Sequence, residues 1–114
     1  MKAQKLQASA EEAANLMRSL SSEKRLMLLC QLADGERSVT DLCDALDLSQ
    51  TNASQQLAIL RRDGLVKTRR HGQMIYYSLA GDSARRVIEV LYELYCCKPA
   101  KAARPRRGVP ALSR

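Results

Sequence analysis

The chain of 114 residues contains no Phe and no Trp, and its aromatic residues are four tyrosines, Tyr76, Tyr77, Tyr92 and Tyr95. That scarcity excludes the stacking platforms that single-stranded RNA binders build from exposed rings. No apolar run approaches the ~18 residues of a membrane span, and the N-terminus lacks the apolar stretch of a secretory signal. A cytoplasmic protein is the expectation. His71 is the only histidine, so no second imidazole can complete a metal site or a hydrolase triad. The four cysteines, Cys30, Cys43, Cys96 and Cys97, include no Cys-x-x-Cys pair, and no base is placed beside a nucleophile. An enzyme is therefore the weakest reading, and no cofactor is implied.

What is present is one domain's worth of chain, 46% apolar, with charge distributed unevenly. Residues 1–60 hold six Lys/Arg against eight Asp/Glu, whereas residues 61–114 hold thirteen against four, within a formal net charge of +7. A basic half beside a mildly acidic one suits a polyanionic partner, with nucleic acid ahead of acidic lipid. Disulfides are disfavoured in a reducing cytosol, which keeps thiols free unless they serve metal or redox chemistry.

Helical spacing organises the first half. Ser9-Ala10-Glu11-Glu12 has the form of a capping box, followed by Ala10, Ala13, Ala14, Met17 and Leu20 at helical intervals. Ser21 and Ser22 reopen the chain before a second helix, which carries Leu26, Leu29, Cys30 and Ala33 on one face and stops near Asp34-Gly35. Thr40 is placed to cap a short helix through Asp47. Ser49 caps another that runs to Asp63 and ends at Gly64. In this last helix Ala53, Leu57 and Leu60 share the inner stripe, so its other faces are almost entirely hydrogen-bonding side chains.

Residues 65–70 and 73–79 are rich in strand formers, with a turn expected at His71-Gly72 and with Ile75, Tyr77 and Leu79 on one face. Asp82 or Ser83 begins a final helix through about Cys97. Its Val87, Ile88, Val90, Leu91, Leu94 and Tyr95 form an apolar band wider than one core stripe requires, which points to a homodimer through the first and last helices. The expected organisation is a flexible stretch over 1–8, a folded domain over 9–97 and a disordered basic tail over 98–114.

A short helix, a tight turn, a polar-faced helix and a basic hairpin amount to a mainly α winged helix-turn-helix, whose second helix enters the DNA major groove. Gln50, Thr51, Asn52, Ser54 and Gln55 are the expected base readers. Arg61, Arg62, Arg69, Arg70 and His71 would add largely sequence-independent affinity. An architectural DNA-binding protein without an inducer is the alternative, for which the basic tail is the best support.

The chain resembles the ArsR/SmtB family of dimeric bacterial repressors over roughly residues 10–97. The resemblance rests on Lys24-Arg25-Leu26-Met27-Leu28-Leu29-Cys30, Ser38-Val39-Thr40-Asp41-Leu42, Leu48-Ser49-Gln50 through Ser54-Gln55-Gln56-Leu57, Leu60-Arg61-Arg62-Asp63-Gly64-Leu65-Val66, and Tyr76-Tyr77-Ser78-Leu79. It implies a homodimer bound to operator DNA with an imperfect inverted repeat and released by an inducer. Gln56 departs from the pattern, standing where many relatives carry His.

Arsenite sensors of the family carry Cys-Val-Cys-Asp-Leu-Cys at the start of the helix-turn-helix, and here Ser38-Val39-Thr40-Asp41-Leu42-Cys43 keeps only the last thiol. Zinc sensors use Asp and His on the last helix, and residues 82–97 contain no His. The persulfide- and redox-sensing branch is the nearer resemblance. It carries one Leu-Cys late in the second helix and one Tyr-Cys at the end of the last, matched here by Leu29-Cys30 and Tyr95-Cys96. The resemblance implies that reactive sulfur joins Cys30 and Cys96 by a disulfide or polysulfide bridge and weakens DNA binding. The alternative is a sensor of arsenite or another thiophilic ion that uses the vicinal pair Cys96 and Cys97, while Cys43 reads as a packing residue.

Overall fold

The computed structural model describes residues 2–96. Six helices and three short strands run in the order α1 (Ala3–Gln7), α2 (Ala10–Leu20), α3 (Glu23–Ala33), β1 (Arg37–Ser38), α4 (Val39–Leu46), α5 (Gln50–Arg62), β2 (Val66–His71), β3 (Met74–Leu79) and α6 (Ser83–Tyr95). The expected tail over 98–114 lies outside the described residues, as does Cys97.

Leucine replaces the missing large aromatics as the core-forming residue. Leu28, Leu29 and Leu32 of α3, Leu42 of α4, and Leu57 and Leu60 of α5 are the largest fully buried side chains. Leu65, Val66, Leu79, Ala84 and Ile88 extend this cluster under the sheet and α6. Truncating one such leucine to alanine costs about 2–5 kcal/mol, so the three-helix layer is the main anchor of the domain.

Local signals explain most boundaries. Ser22 Oγ accepts the Arg25 backbone N–H at 3.3 Å to start α3, and Ser49 Oγ accepts that of Asn52 at 3.0 Å to start α5. Gly64, at φ 78, ends α5 by letting the Leu65 N–H bond back to the Leu60 carbonyl at 2.9 Å. Between α4 and α5, Asp47 takes the left-handed conformation at φ 56, the sole non-glycine with positive φ among the described residues. Its short polar side chain suits that turn, and the Leu48 N–H closes it on the Cys43 carbonyl at 3.1 Å.

Several local expectations need correction. The cap of α4 is Ser38 rather than Thr40: Ser38 Oγ accepts the Asp41 N–H at 3.1 Å. Ser38 also belongs to β1, whose extended backbone supplies the dihedrals a cap needs. Ser9 forms no side-chain cap on α2, because its backbone is not extended (φ −118, ψ 20) and its N–H is taken by the Leu6 carbonyl at 2.9 Å. Apart from these corrections, α1 lies within the stretch expected to be flexible and is a five-residue helix with no buried residue. His71 is still in a strand, paired with Met74, so the hairpin turn is Gly72-Gln73, with Gly72 at φ 64. The sheet order is β1-β3-β2, antiparallel throughout, and β1 adds a third strand through Arg37 opposite Tyr77 and Ser38 opposite Tyr76.

Candidate nucleic-acid interface and thiol pair

Burial of Ala53, Leu57 and Leu60 fixes how α5 is turned. Gln50, Thr51, Ser54 and Gln55 are exposed and, with Ala58, line one shallow concavity. Arg61 continues this face one turn beyond Ala58. Asn52 is half-buried on its flank. Gln56 turns inward, its Oε1 accepting from Arg25 Nη1 at 3.1 Å. Arg25 also donates to the Ser19 and Arg18 carbonyls at 2.9 and 3.3 Å, so one guanidinium ties α5 to the end of α2.

The expected basic residues divide into two sets. Arg61, Arg70 and His71 are exposed, and among the described residues no ion pair engages them. Arg62 pairs with Asp63 at 3.2 Å and lines a separate cleft with Glu12, Arg18 and Ser19 of α2. Asp63 accepts Ser19 Oγ at 2.5 Å, and these two contacts hold its carboxyl below the usual range, the serine hydroxyl contributing most. Arg69 is engaged bidentately by Glu36, with Nε to Oε2 at 3.0 Å and Nη2 to Oε1 at 2.8 Å. That hydrogen bond lowers the Glu36 pKa and raises that of Arg69. Glu36, Arg25 and Ser19 carry no sequence signal for these roles, because their partners lie between six and 44 residues away along the chain.

The two expected sensing thiols sit on packed helices. Cys30 is half-buried on α3 against the core, and Cys96 is exposed at the C-terminal cap of α6. Arg85 of α6 donates to the Ala33 carbonyl at 2.9 Å, fastening the two helices close to Cys30. Burial pushes the Cys30 thiol above its ordinary pKa, and the charges of Cys96 and then Asp34 push it further. Cys96 is thus near enough to act electrostatically on Cys30 although 66 residues separate them in sequence. Cys43 is half-buried on α4. Among the described residues, no group of three or more His, Cys, Asp or Glu side chains is arranged to hold a metal ion.

Comparison with known proteins places this geometry. Residues 22–68, from the cap of α3 into the hairpin, match the family described as bacterial regulatory protein, arsR family. The transcriptional activator HlyU of Vibrio cholerae is 43% identical over 84% of this chain and 89% of its own length. The chain belongs to the ArsR family. A biofilm growth-associated repressor of Agrobacterium fabrum is 49% identical over 76% of this ArsR-family chain and 74% of its own. The crystal structure of the transcriptional repressor BigR from Xylella fastidiosa superposes with a TM-score of 0.81 at 39% identity, covering 86% of this chain and all of that one. The protein is accordingly a winged helix-turn-helix transcriptional regulator: α4 and α5 are its helix-turn-helix, and the β2–β3 hairpin is its wing. No described helix is long and apolar enough to cross a membrane.

Proposed function

We propose that this regulator is a homodimeric repressor that binds an imperfect inverted repeat when reduced and is released by reactive sulfur species. The observation that carries the reading is the electrostatic proximity of Cys30 and Cys96 across the packed helices α3 and α6. DNA reading is assigned to the outward face of α5, where Gln50, Thr51, Ser54 and Gln55 can bond base edges with Asn52 at the margin. Arg61, Arg70 and His71 meet phosphates. Exposed Val90, Leu94 and Tyr95 of α6, with Met17 of α2, support the dimer, which would set two recognition helices about 34 Å apart along the duplex.

The switch chemistry starts at the exposed thiol. Cys96 thiolate attacks a sulfane sulfur of a hydropolysulfide, becomes a persulfide and expels the shortened hydropolysulfide. Cys30 thiolate then attacks the inner sulfur of that persulfide and expels hydrosulfide, leaving a disulfide; the two electrons lost by the thiols reside on the departing sulfur. If both cysteines become persulfides, their condensation to a trisulfide releases one hydrogen sulfide. Each added sulfur extends the reach between alpha carbons beyond the 5.5–6 Å or so of an ordinary disulfide. The bridge would join α3, which holds α5 through Arg25 and Gln56, to the proposed dimer helix.

A duplex recovered by the reduced protein from a randomised pool provides the test. Wild type shifts this duplex and releases it after polysulfide, with intact-mass spectrometry reading the bridge. Cys30→Ser shifts the duplex equally and ignores polysulfide; equal release of this variant removes the switch from Cys30. Because the Cys30 pKa is raised, its thiolate fraction keeps growing above the ordinary thiol range, so bridge closure accelerates as pH rises there.

A further inference from the structure

Arg69 carries a full positive charge on the wing, yet its hydrogen-bonding edge is occupied. We propose that Glu36 acts as an internal phosphate mimic that withholds Arg69 from DNA, so that Arg69 positions the wing while Arg70 and His71 meet the duplex. The proposal rests on the DNA-reading assignment of α5 and the wing.

The geometry is that of carboxylate recognition by a guanidinium fork. Nε and Nη2 meet the two carboxylate oxygens at 3.0 and 2.8 Å, the same bidentate arrangement a phosphate would receive. The face of the guanidinium is also used, since it lies 5.1 Å from the centroid of the Tyr76 ring. Tyr76 is the direct cross-strand partner of Arg69 in β2 and of Ser38 in β1. One row across the sheet therefore reads Ser38, Tyr76, Arg69, and Glu36 reaches over it from just before β1. The ion pair straps the outer strand of the wing to the segment that caps α4, the first helix of the helix-turn-helix.

Arg70 points to the opposite face of β2 from Arg69 by strand alternation, and the fork leaves it untouched. A wing built this way presents a fixed angle to the groove, and one of its cations makes no contribution to counterion release. An isolated exposed pair is worth little to stability, so the effect is on DNA binding rather than on folding.

The salt dependence of affinity counts phosphate contacts, with a slope of about 0.9 in log Kobs against log salt for each. The experiment measures this slope for wild type, Glu36→Gln, Arg69→Ala and the double variant on the duplex recovered by wild type, after thermal melts establish that all four fold. Glu36→Gln is expected to steepen the slope by about 0.9 and to tighten binding at low salt roughly fivefold, because Arg69 then gains a phosphate. Arg69→Ala is expected to weaken binding roughly threefold with the slope unchanged, and in its background Glu36→Gln leaves the slope where it was. A slope reduced by about 0.9 in Arg69→Ala, with Glu36→Gln unchanged, makes Arg69 an ordinary phosphate contact and overturns the proposal alone. Wild type that recovers no duplex overturns the DNA reading and this proposal together.

Discussion

Helices α5 and α6 are each thirteen residues long, and each buries one stripe in the same core, Ala53, Leu57 and Leu60 in one and Ala84 and Ile88 in the other. Their outward faces differ in kind. That of α5 is amide and hydroxyl, with arginine at its end; that of α6 presents Val90 at 51%, Leu94 at 55% and Tyr95 at 69% exposure. A polar outward face keeps its hydrogen bonds in water and can exchange them for base edges, whereas an apolar outward face gains by leaving water. The contrast separates the surface suited to DNA from the surface suited to a second copy of the chain.

The largest expected effect tests the shared inner side of this comparison. Leu57→Ala should cost about 2–5 kcal/mol in urea denaturation, because a fully buried leucine leaves a cavity in the three-helix layer. The outward faces should then respond in opposite ways. Leu94→Glu is expected to turn the assembly monomeric in sedimentation velocity and to weaken duplex binding by at least about tenfold, while the thermal stability of the isolated fold changes little. Equal association of this variant would remove α6 from the interface. Gln55→Ala should leave association untouched and cost about 1–3 kcal/mol in affinity for the selected duplex, with weak binding to unrelated DNA preserved.

The smallest effect concerns the end of α5. The lowered Asp63 pKa means that its contacts with Ser19 and Arg62 contribute above the ordinary carboxylate pKa and are lost as pH falls through the folded value. The Asp63 side chain is 30% exposed, so solvent still screens it, and Asp63→Asn should cost about 1 kcal/mol or less at neutral pH and flatten the acid limb of the stability profile slightly. A pH titration of the denaturation midpoint reads both.

Periodicity and caps made α5 legible, since Ser49, the 53-57-60 stripe and Gly64 are all local signals. The same logic found α3 and α6 and located both hairpin strands, with the turn displaced by one residue. It chose Thr40 over Ser38 because both can cap and only the pairing of Ser38 with Tyr76 decides between them. It missed β1 altogether, because a two-residue strand has no period to detect. Among the candidate site residues, the sequence set Arg62 and Arg69 beside Arg61, Arg70 and His71 as DNA contacts and carried no sign that Asp63 and Glu36 pair with them. Gln56 gave no hint of its bond to Arg25, 31 residues away.

The sequence by itself determined the helix-turn-helix, the polar face of its second helix, the basic wing and the excess apolar band of α6. Each of these follows from spacing within a few residues, which backbone geometry translates directly into faces. Only the tertiary structure decided which arginines are already paired, that Ser38 rather than Thr40 caps α4, and that Cys30 and Cys96 lie within electrostatic reach. Those outcomes depend on packing α3 against α6 and folding the wing back onto β1, contacts whose closure no local pattern encodes.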